Sequence, residues 1–458
     1  MSGISNISIS NIFACGLLFC ASFLAADAAP VFTDAERGDL VVYWNQPGRY
    51  HIGLPPDAAK RGVWQARLTP EGSTWLWNYQ RVIGAGKLPP NQDPALFGTQ
   101  MADWKSWVQA RIACDQWQAQ AAADAANALL GTPPPAADGG KRRAAASAPT
   151  DKMPPAPPGP IPGGLLAVAG NPPPLAAAVT PMQYDVLFDD GEALSYNDQV
   201  AVRSNFAYFR FPHGVAVYGK PQRDEELDPI FTAAGMTPSE ERIMRAVSRL
   251  EGSFESINTY DTGFVSVGFI QFITFDDGKH SLIEVLQQEK TDKPDAFAQD
   301  FHRFGVDVNG EGQIVAVDPA TGAELSGPEA VHKLIDDKRL IAVFQRAGKH
   351  SAAFRLAQVR VAKSHYWPMD DPIMVTVAGQ TLTGKVSDVV ASEAGIATLF
   401  DRKVNRGNIA PLADVVGQVM AAHNLTALAD VPPYEREIIA GIKYRVDFLK
   451  EATLSQPK

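Results

Sequence analysis

Residues 237–272 read TPSEERIMRAVSRLEGSFESINTYDTGFVSVGFIQF, and this stretch begins with the signals of a capped helix. Thr237 is followed by Pro238 and, three positions after the threonine, by Glu240, which is a capping-box pattern with proline in the first turn. Apolar residues then recur at helical spacing and mark the buried face. These residues are Ile243, Met244, Val247 and Leu250. The stretch therefore predicts a helix with one buried face that ends close to Glu251.

Glu251 lies on or beside this apolar face, near the C-terminus of the predicted helix. A carboxylate in that place is poorly solvated and meets the negative end of the helix dipole. Both effects disfavour the ionised form. A carboxyl group that keeps its proton near neutral pH can serve as a general acid, so Glu251 is the predicted proton donor.

A turn and a strand pattern follow the helix. Residues 260–263 (YDTG) are typical of a turn, and residues 264–272 alternate as in a β-strand. We expect Asp261 and Ser266 to face a cleft whose opposite wall is the end of the Glu251 helix. Two carboxylates across a groove are what glycoside hydrolysis needs, since one protonates the leaving oxygen and the other handles water or the oxocarbenium charge.

These residues resemble the opening of the phage-type lysozymes. That family has a Glu-Gly pair at a helix end, a Tyr-x-Asp-type turn, and a Thr in a strand just before Ile-Gly. The resemblance implies a mainly helical lysozyme-like fold with a small β-hairpin, and cleavage of β-1,4 bonds in peptidoglycan. It implies Glu251 as the general acid, Asp261 as the residue that orients or activates water, and Ser266 in place of the family's Thr. Asp261 comes one residue later than in the family pattern.

A second stretch, residues 392–407 (SEAGIATLFDRKVNRG), resembles the late core helix of lysozyme-like folds, which often ends in Asn-x-Gly. Its apolar residues recur at helical spacing, and Gly407 is suited to a helix C-terminus. An ordinary buried helix explains most of these residues. Asp401 and Asn405 are the two positions at which a functional role stays open.

Other readings of the same residues remain open. Glu251 with the later segment 268–271 (GFIQ) is also similar to lytic transglycosylases, which use one Glu, and Gln271 would then contact substrate. Chitosanases share the fold, and Asp276 and Asp277 are then the candidates for the second carboxylate. A catalytically inactive module that binds glycan or another protein is a further alternative.

Three more side chains are candidates for substrate binding. Tyr260 lies in the predicted turn beside Asp261. Tyr366 and Trp367 follow a helical pattern and could stack on a sugar ring, because a pyranose face is apolar. Packing in the core is an equally good explanation for Tyr366 and Trp367.

Composition shifts divide the chain into four segments and predict an α+β protein. Residues 1–28 are a predicted signal peptide, and residues 29–131 a Trp-rich N-terminal domain of unknown role in which residues 40–44 look like a strand. Residues 132–180 are rich in Pro, Ala and Gly and are predicted to be a linker. Residues 181–458 are the predicted lysozyme-like catalytic domain.

The N-terminal apolar run and the net charge limit where the protein acts and what it binds. An apolar run from Ile12 to Ala26 precedes a small-x-small motif and a predicted cleavage before Ala29, which indicates export to the periplasm or medium with no membrane span afterwards. The formal net charge of -10 argues against a nucleic-acid partner. After cleavage Cys114 is the one remaining cysteine, which excludes an intramolecular disulfide. No metal or other cofactor is predicted, a polysaccharide is the expected partner, and no signal indicates an oligomeric state.

Overall fold

The computed structural model describes residues 30–84, 94–131, 154–200, 208–219 and 224–458. The predicted signal peptide and residues 132–153 of the predicted linker lie outside the described residues. Residues Val31–Lys458 form one compact unit.

Helices account for more of the described chain than strands do. They are α1 (Asp34–Trp44), α2 (Ala58–Arg61), α3 (Pro70–Gly84), α4 (Pro94–Leu129), α5 (Gly163–Ala169), α6 (Asp224–Ala233), α7 (Pro238–Ser248), α8 (Ser281–Asp292), α9 (Pro294–Asp300), α10 (Gly327–Asp336), α11 (Lys338–His350), α12 (Ala352–Tyr366), α13 (Glu393–Arg406), α14 (Leu412–Ala422) and α15 (Glu435–Ile442).

The strands are short and pair antiparallel in small sheets, in the orders β1-β4-β5, β2-β3, β6-β7-β8-β9, β10-β11-β12 and β13-β14. They are β1 (Tyr50–Gly53), β2 (Gln65–Leu68), β3 (Ala176–Val179), β4 (Gln183–Leu187), β5 (Ala193–Asn197), β6 (Ala216–Val217), β7 (Ile257–Asn258), β8 (Ser266–Val267), β9 (Phe272–Ile273), β10 (Val306–Val308), β11 (Ile314–Val317), β12 (Glu324–Ser326), β13 (Pro372–Val377) and β14 (Gln380–Lys385). The coarse prediction of an α+β fold is confirmed.

The first described segment belongs to the main core rather than to a separate N-terminal domain. Leu40 and Trp44 on α1 are buried in the same core as the C-terminal helices, and the Trp44 indole donates a hydrogen bond to the Phe304 carbonyl at 3.1 Å. The strand predicted for residues 40–44 is a helix instead. Thr33 and Glu36 form a capping box at its start, and this local signal outweighs the β-branched residues that follow.

The remaining Trp-rich residues form a second, smaller core. It joins rings from α3 and α4 with Leu165 and Leu175, which come from the predicted linker. Strand β3 of that segment also pairs with β2. The structured part of residues 154–180 is therefore not a free linker, because it supplies buried leucines and a paired strand to the core that covers Trp75 and Trp104.

Helix α7 follows the sequence signals closely. It has the predicted capping box between Thr237 and Glu240, and its apolar face is buried. It packs against α13, which ends at Arg406 and is followed by Gly407 in the left-handed conformation, so the helix stops where the glycine predicted it. Because the two helices pack side by side, residues near the C-terminus of α7 come close to the last turns of α13.

The segment that follows α7 differs from the single strand predicted for residues 264–272. Two strands of two residues each, β8 and β9, are separated by a turn at residues 268–271. Gly268 and Gln271 have positive φ angles of 90° and 56°, which end the extended conformation. Within the described residues 208–219, Ala216–Val217 is the part that forms a strand.

No helix within the described ranges has both the length and the apolar character needed to cross a membrane.

Candidate active site

Glu251 stands just beyond the end of α7, where the chain turns away from the helix. Its backbone N–H donates to the Ser248 carbonyl at 3.0 Å, and its side chain is 12% exposed. Gly252 follows with φ 143°, and a Cβ there would lie 2.2 Å from the Ser256 hydroxyl oxygen. A side chain at position 252 would therefore push away the segment that holds Glu251.

The Glu251 carboxylate is held by residues from late in the chain. The Arg445 guanidinium contacts both Glu251 and Asp401 through Nη2. The Asn405 amide donates to Glu251 Oε1 at 3.1 Å and to Asp401 Oδ1 at 3.2 Å. Asp401 lies on α13 with its side chain 2% exposed. We call Glu251, Asp401, Asn405 and Arg445 the Glu251 cluster.

The two oxygens of Glu251 differ in their partners. The hydrogen bonds from Asn405 and Arg445 both go to Oε1, so Oε2 has no hydrogen-bond partner among the described residues. Two carboxylates share the one guanidinium of Arg445. The apolar setting expected for Glu251 is in fact a charged one.

Asp261 has a different environment, inside its own turn. Asn258 donates to its Oδ2 at 2.6 Å, and the Gly263 N–H donates to its Oδ1 at 2.9 Å. Burial raises the pKa of Asp261, while these two hydrogen bonds and the positive charge of Arg210 oppose that rise. Asp261 is thus a desolvated carboxyl with donors on both oxygens.

Ser266 is buried beside this turn, at 4% exposure. A Cβ on Gly263 would lie 2.8 Å from the Ser266 hydroxyl and 3.3 Å from Asp261 Oδ1, so both groups border the same point. Ser266 also pairs with Asn258 across β7 and β8. The structure therefore brings Asp261 and Ser266 together.

Tyr218 links the Glu251 loop with the Asp261 turn, although Glu251 and Asp261 share no hydrogen bond. The Tyr218 carbonyl accepts hydrogen bonds from the Ser253 N–H at 3.3 Å and the Ser256 hydroxyl at 2.5 Å. The Tyr260 side chain, next to Asp261, hydrogen-bonds with the Tyr218 side chain, and burial raises the pKa of Tyr260. Tyr218 therefore connects the loop after Glu251, through its carbonyl, with Tyr260, the neighbour of Asp261, through its side chain.

A buried glutamine ties the same two segments together from behind. Gln358 on α12 donates to the Phe254 carbonyl at 3.2 Å and accepts from the Phe269 N–H at 3.2 Å. Gly268 is required at this point, because a Cβ would lie 2.1 Å from Gln358 Oε1. The loop after Glu251 and the β8–β9 turn therefore hold fixed positions relative to each other.

The other predicted substrate contacts lie elsewhere in the structure. Tyr366 is 6% exposed, and burial raises its pKa to about 12, so it contributes to the core and offers no stacking face. Trp367 is half-buried under the Lys363 ammonium, 4.1 Å from its ring centre. The Gln271 amide donates to the Gly268 carbonyl at 3.0 Å and braces its own turn. Asp276 contacts His332 at 3.1 Å.

Arg445 and Tyr218 are the site residues that sequence reasoning missed. Arg445 is separated from Glu251 by 194 residues and has no local motif around it. Tyr218 directly follows β6 and lies in none of the motifs that the sequence offered. Asp401 and Asn405 were singled out by the sequence and do belong to the cluster.

No family model matches the chain, and no curated protein or solved structure is significantly similar to it. In the part of the chain that the structure describes, no group of three or more His, Cys, Asp or Glu side chains could hold a metal ion.

Proposed function

We propose that this protein is an exported glycoside hydrolase that cleaves β-1,4 bonds of peptidoglycan, with Glu251 as the general acid. One observation carries the proposal: the Glu251 carboxyl is anchored through Oε1 by Arg445 and Asn405, while Oε2 has no partner among the described residues. A general acid needs a fixed orientation and one free oxygen from which to give its proton. Export by the predicted signal peptide would bring it to the wall polymer.

The chemistry follows from this arrangement. The proton moves from Glu251 Oε2 to the glycosidic oxygen, and the bond between that oxygen and C1 breaks with both electrons going to oxygen. Positive charge then develops on the ring as an oxocarbenium ion. Water adds to C1 and loses a proton to a carboxylate. C1 then carries a hydroxyl, and this sugar is the new reducing end.

Asp261 and Ser266 are the groups that would handle this water. The Asp261 carboxylate can accept its proton, and the Ser266 hydroxyl can donate or accept a hydrogen bond to orient it. Both border the same point near Gly263, which supports a shared role. The fixed connection through Tyr218 and Tyr260 keeps this pair at a set position relative to Glu251.

Lytic transglycosylation is the second candidate, and one observation favours it. Both oxygens of Asp261 already accept hydrogen bonds from within residues 258–263, so this carboxyl is engaged in its own turn. A transglycosylase needs the one Glu, since the N-acetyl group and a hydroxyl of the sugar replace the second carboxylate. Its products would carry anhydro-muramyl ends instead of reducing ends.

The test is digestion of purified peptidoglycan by wild type and by Glu251→Gln, with the released sugars identified by mass spectrometry. The proposal expects soluble fragments with reducing ends from the wild type and a loss of about 10²-fold or more in rate for the variant. Anhydro ends would select the transglycosylase. Glu311→Gln, an isosteric change on the exposed turn between β10 and β11, is the matched control and should leave the rate unchanged.

Two results would reject the proposal. Undiminished clearing by Glu251→Gln would remove Glu251 from the chemistry. Binding to insoluble peptidoglycan with no sugar released by the wild type would indicate a binding module instead. Chitosan tested in parallel separates a chitosanase from a muramidase, because it lacks the muramic acid of the cell wall.

A further inference from the structure

Tyr218 is an exposed aromatic side chain beside the proposed site. Tyr218 is 57% exposed, which places it among the large hydrophobic residues that are accessible to solvent in the described structure. Tyrosine at the surface usually leaves its ring free to move in solvent. Here the ring is fixed at both its backbone and its hydroxyl end.

The backbone of Tyr218 contacts the loop that follows Glu251. Its carbonyl lies 3.2 Å from the position of a Cβ on Gly252, the residue that follows Glu251. Gly219 has φ 67°, and a Cβ there would lie 1.9 Å from the Ser253 hydroxyl and 2.6 Å from Glu255 Oε1. Strand β6 and the loop after α7 are therefore in direct contact, and Tyr218 cannot move independently of that loop.

The hydroxyl end of Tyr218 is held by a buried residue. Tyr260 is 6% exposed and shares a hydrogen bond with the Tyr218 side chain. Tyr260 is in turn adjacent to Asp261. With the phenol and the backbone both fixed, little side-chain entropy is left to lose when a ligand covers the ring.

We propose that the exposed face of Tyr218 is a stacking platform for one pyranose ring of a β-1,4-linked N-acetyl amino sugar chain bound at Glu251. This inference rests on the proposed function and adds a binding subsite to it. The C–H face of a pyranose is apolar and packs on an aromatic ring, and the polar edge of the sugar stays in water.

The test uses full-length protein and the N-acetylglucosamine hexamer as the probe. We expect Tyr218→Ala to weaken hexamer binding about tenfold, or about 1.4 kcal/mol, as judged by calorimetry in the Glu251→Gln background, because the variant loses an aromatic contact. In the active protein the same change should raise KM about tenfold and leave kcat within about twofold, since stacking contributes equally to ground and transition states.

Two variants separate stacking from a structural role. Tyr218→Phe keeps the ring and loses the bond with Tyr260, so we expect binding within about threefold of wild type. Met374→Ala removes an equally accessible apolar side chain from β13, where Met374 is 66% exposed, and should change nothing. Unaltered thermal melting of Tyr218→Ala shows that the fold is intact.

The outcomes distinguish this inference from the proposed function. Unchanged hexamer affinity and KM in Tyr218→Ala would overturn the platform while leaving Glu251 chemistry standing, and so would an equal loss in Tyr218→Phe. Hexamer binding that depends on Tyr218, in a wild type that cleaves no glycan, would keep the platform and reject the enzyme. A wild type that binds no hexamer and no peptidoglycan would reject both.

Discussion

The two carboxyl groups of the proposed site are held in opposite ways. Glu251 is bound by charged and polar partners that lie 154 and 194 residues later in the chain. Asp261 is bound by two donors that lie three and two residues away. One carboxyl depends on the packing of α7 against α13 and on the segment after α15, whereas the other is set by a single turn.

The two carboxyl groups also differ in the charges around them. The Glu251 carboxylate shares the Arg445 guanidinium with a second carboxylate, that of Asp401. Asp261 is buried with few charges near it, and this burial raises its pKa. Changes to distant residues should therefore act on Glu251, and changes within residues 258–266 should act on Asp261.

The largest effect on activity among the variants that test this contrast is expected for Asp261→Asn. An amide cannot accept a proton from water, so hydrolysis should slow about 10²-fold or more. Initial rates on peptidoglycan measure this. A rate within about threefold of wild type, together with anhydro ends, would instead show that Glu251 works alone.

Arg445→Met should reduce activity less, by about tenfold, because Glu251 loses a tether and keeps its carboxyl. The change also leaves Asp401, which is 2% exposed, without its cation. We expect the free energy of unfolding to fall by roughly 1–3 kcal/mol, as measured by urea denaturation. Asp401→Asn in the same chain should recover part of that stability, whereas additive losses would mean that Arg445 and Asp401 are not coupled.

Asn258→Ala should have a smaller effect, confined to the pH profile. Asn258 donates to the Asp261 carboxylate and lowers its pKa, so its removal lets the pKa of Asp261 rise further. If hydrolysis needs ionised Asp261, the acid limb of kcat should move to higher pH by about one unit or less. The profile of kcat between pH 3 and 8 measures the shift, and a shift to lower pH would contradict the account.

Glu289→Gln is the control for a buried carboxyl outside the site, with no expected effect on kcat. Burial and the negative charge of Asp300 raise the pKa of Glu289 from 4.5 to about 9. The folded protein therefore keeps a proton that the unfolded chain releases between these values. Its free energy of unfolding should fall as pH rises through that range, by on the order of 1 kcal/mol per unit.

Glu289→Gln should remove that slope, which thermal melting at pH 5 and pH 8 would reveal. An unchanged slope would mean that Glu289 is ionised in the folded protein. A shift in the acid limb of kcat would mean that Glu289 also acts on the site, which the contrast between Glu251 and Asp261 does not allow.

The sequence predicted the local parts of this site and missed those that depend on tertiary packing. The capping box of α7 and the turn around Asp261 are encoded within a few neighbouring residues, so pattern reasoning found both. Arg445 reaches Glu251 through the packing of segments far apart in the chain, and no local sequence pattern predicts this contact. The prediction of an apolar environment for Glu251 was wrong for the same reason. Helical spacing shows which face of a helix is buried, but not which charged residues contact the edge of that face.

The same distinction explains the errors in the fold. Residues 40–44 have strand propensity, but the Thr33–Glu36 capping box and burial of Leu40 and Trp44 in the main core make them helical. Proline-rich composition suggested a linker through residue 180, whereas Leu165 and Leu175 fill the smaller core. In both cases burial against distant residues decided the structure.

The most direct measurement of the central claim compares Glu251→Gln with wild type on two substrates that differ in the leaving group. A proton donor matters for the poor leaving group of a sugar polymer and hardly at all for a dinitrophenyl glycoside of an N-acetylglucosamine oligomer. The account predicts a loss of about 10²-fold or more on peptidoglycan and less than about tenfold on the activated glycoside. Equal losses on both substrates, or none on peptidoglycan, would contradict a proton-donating role for Glu251.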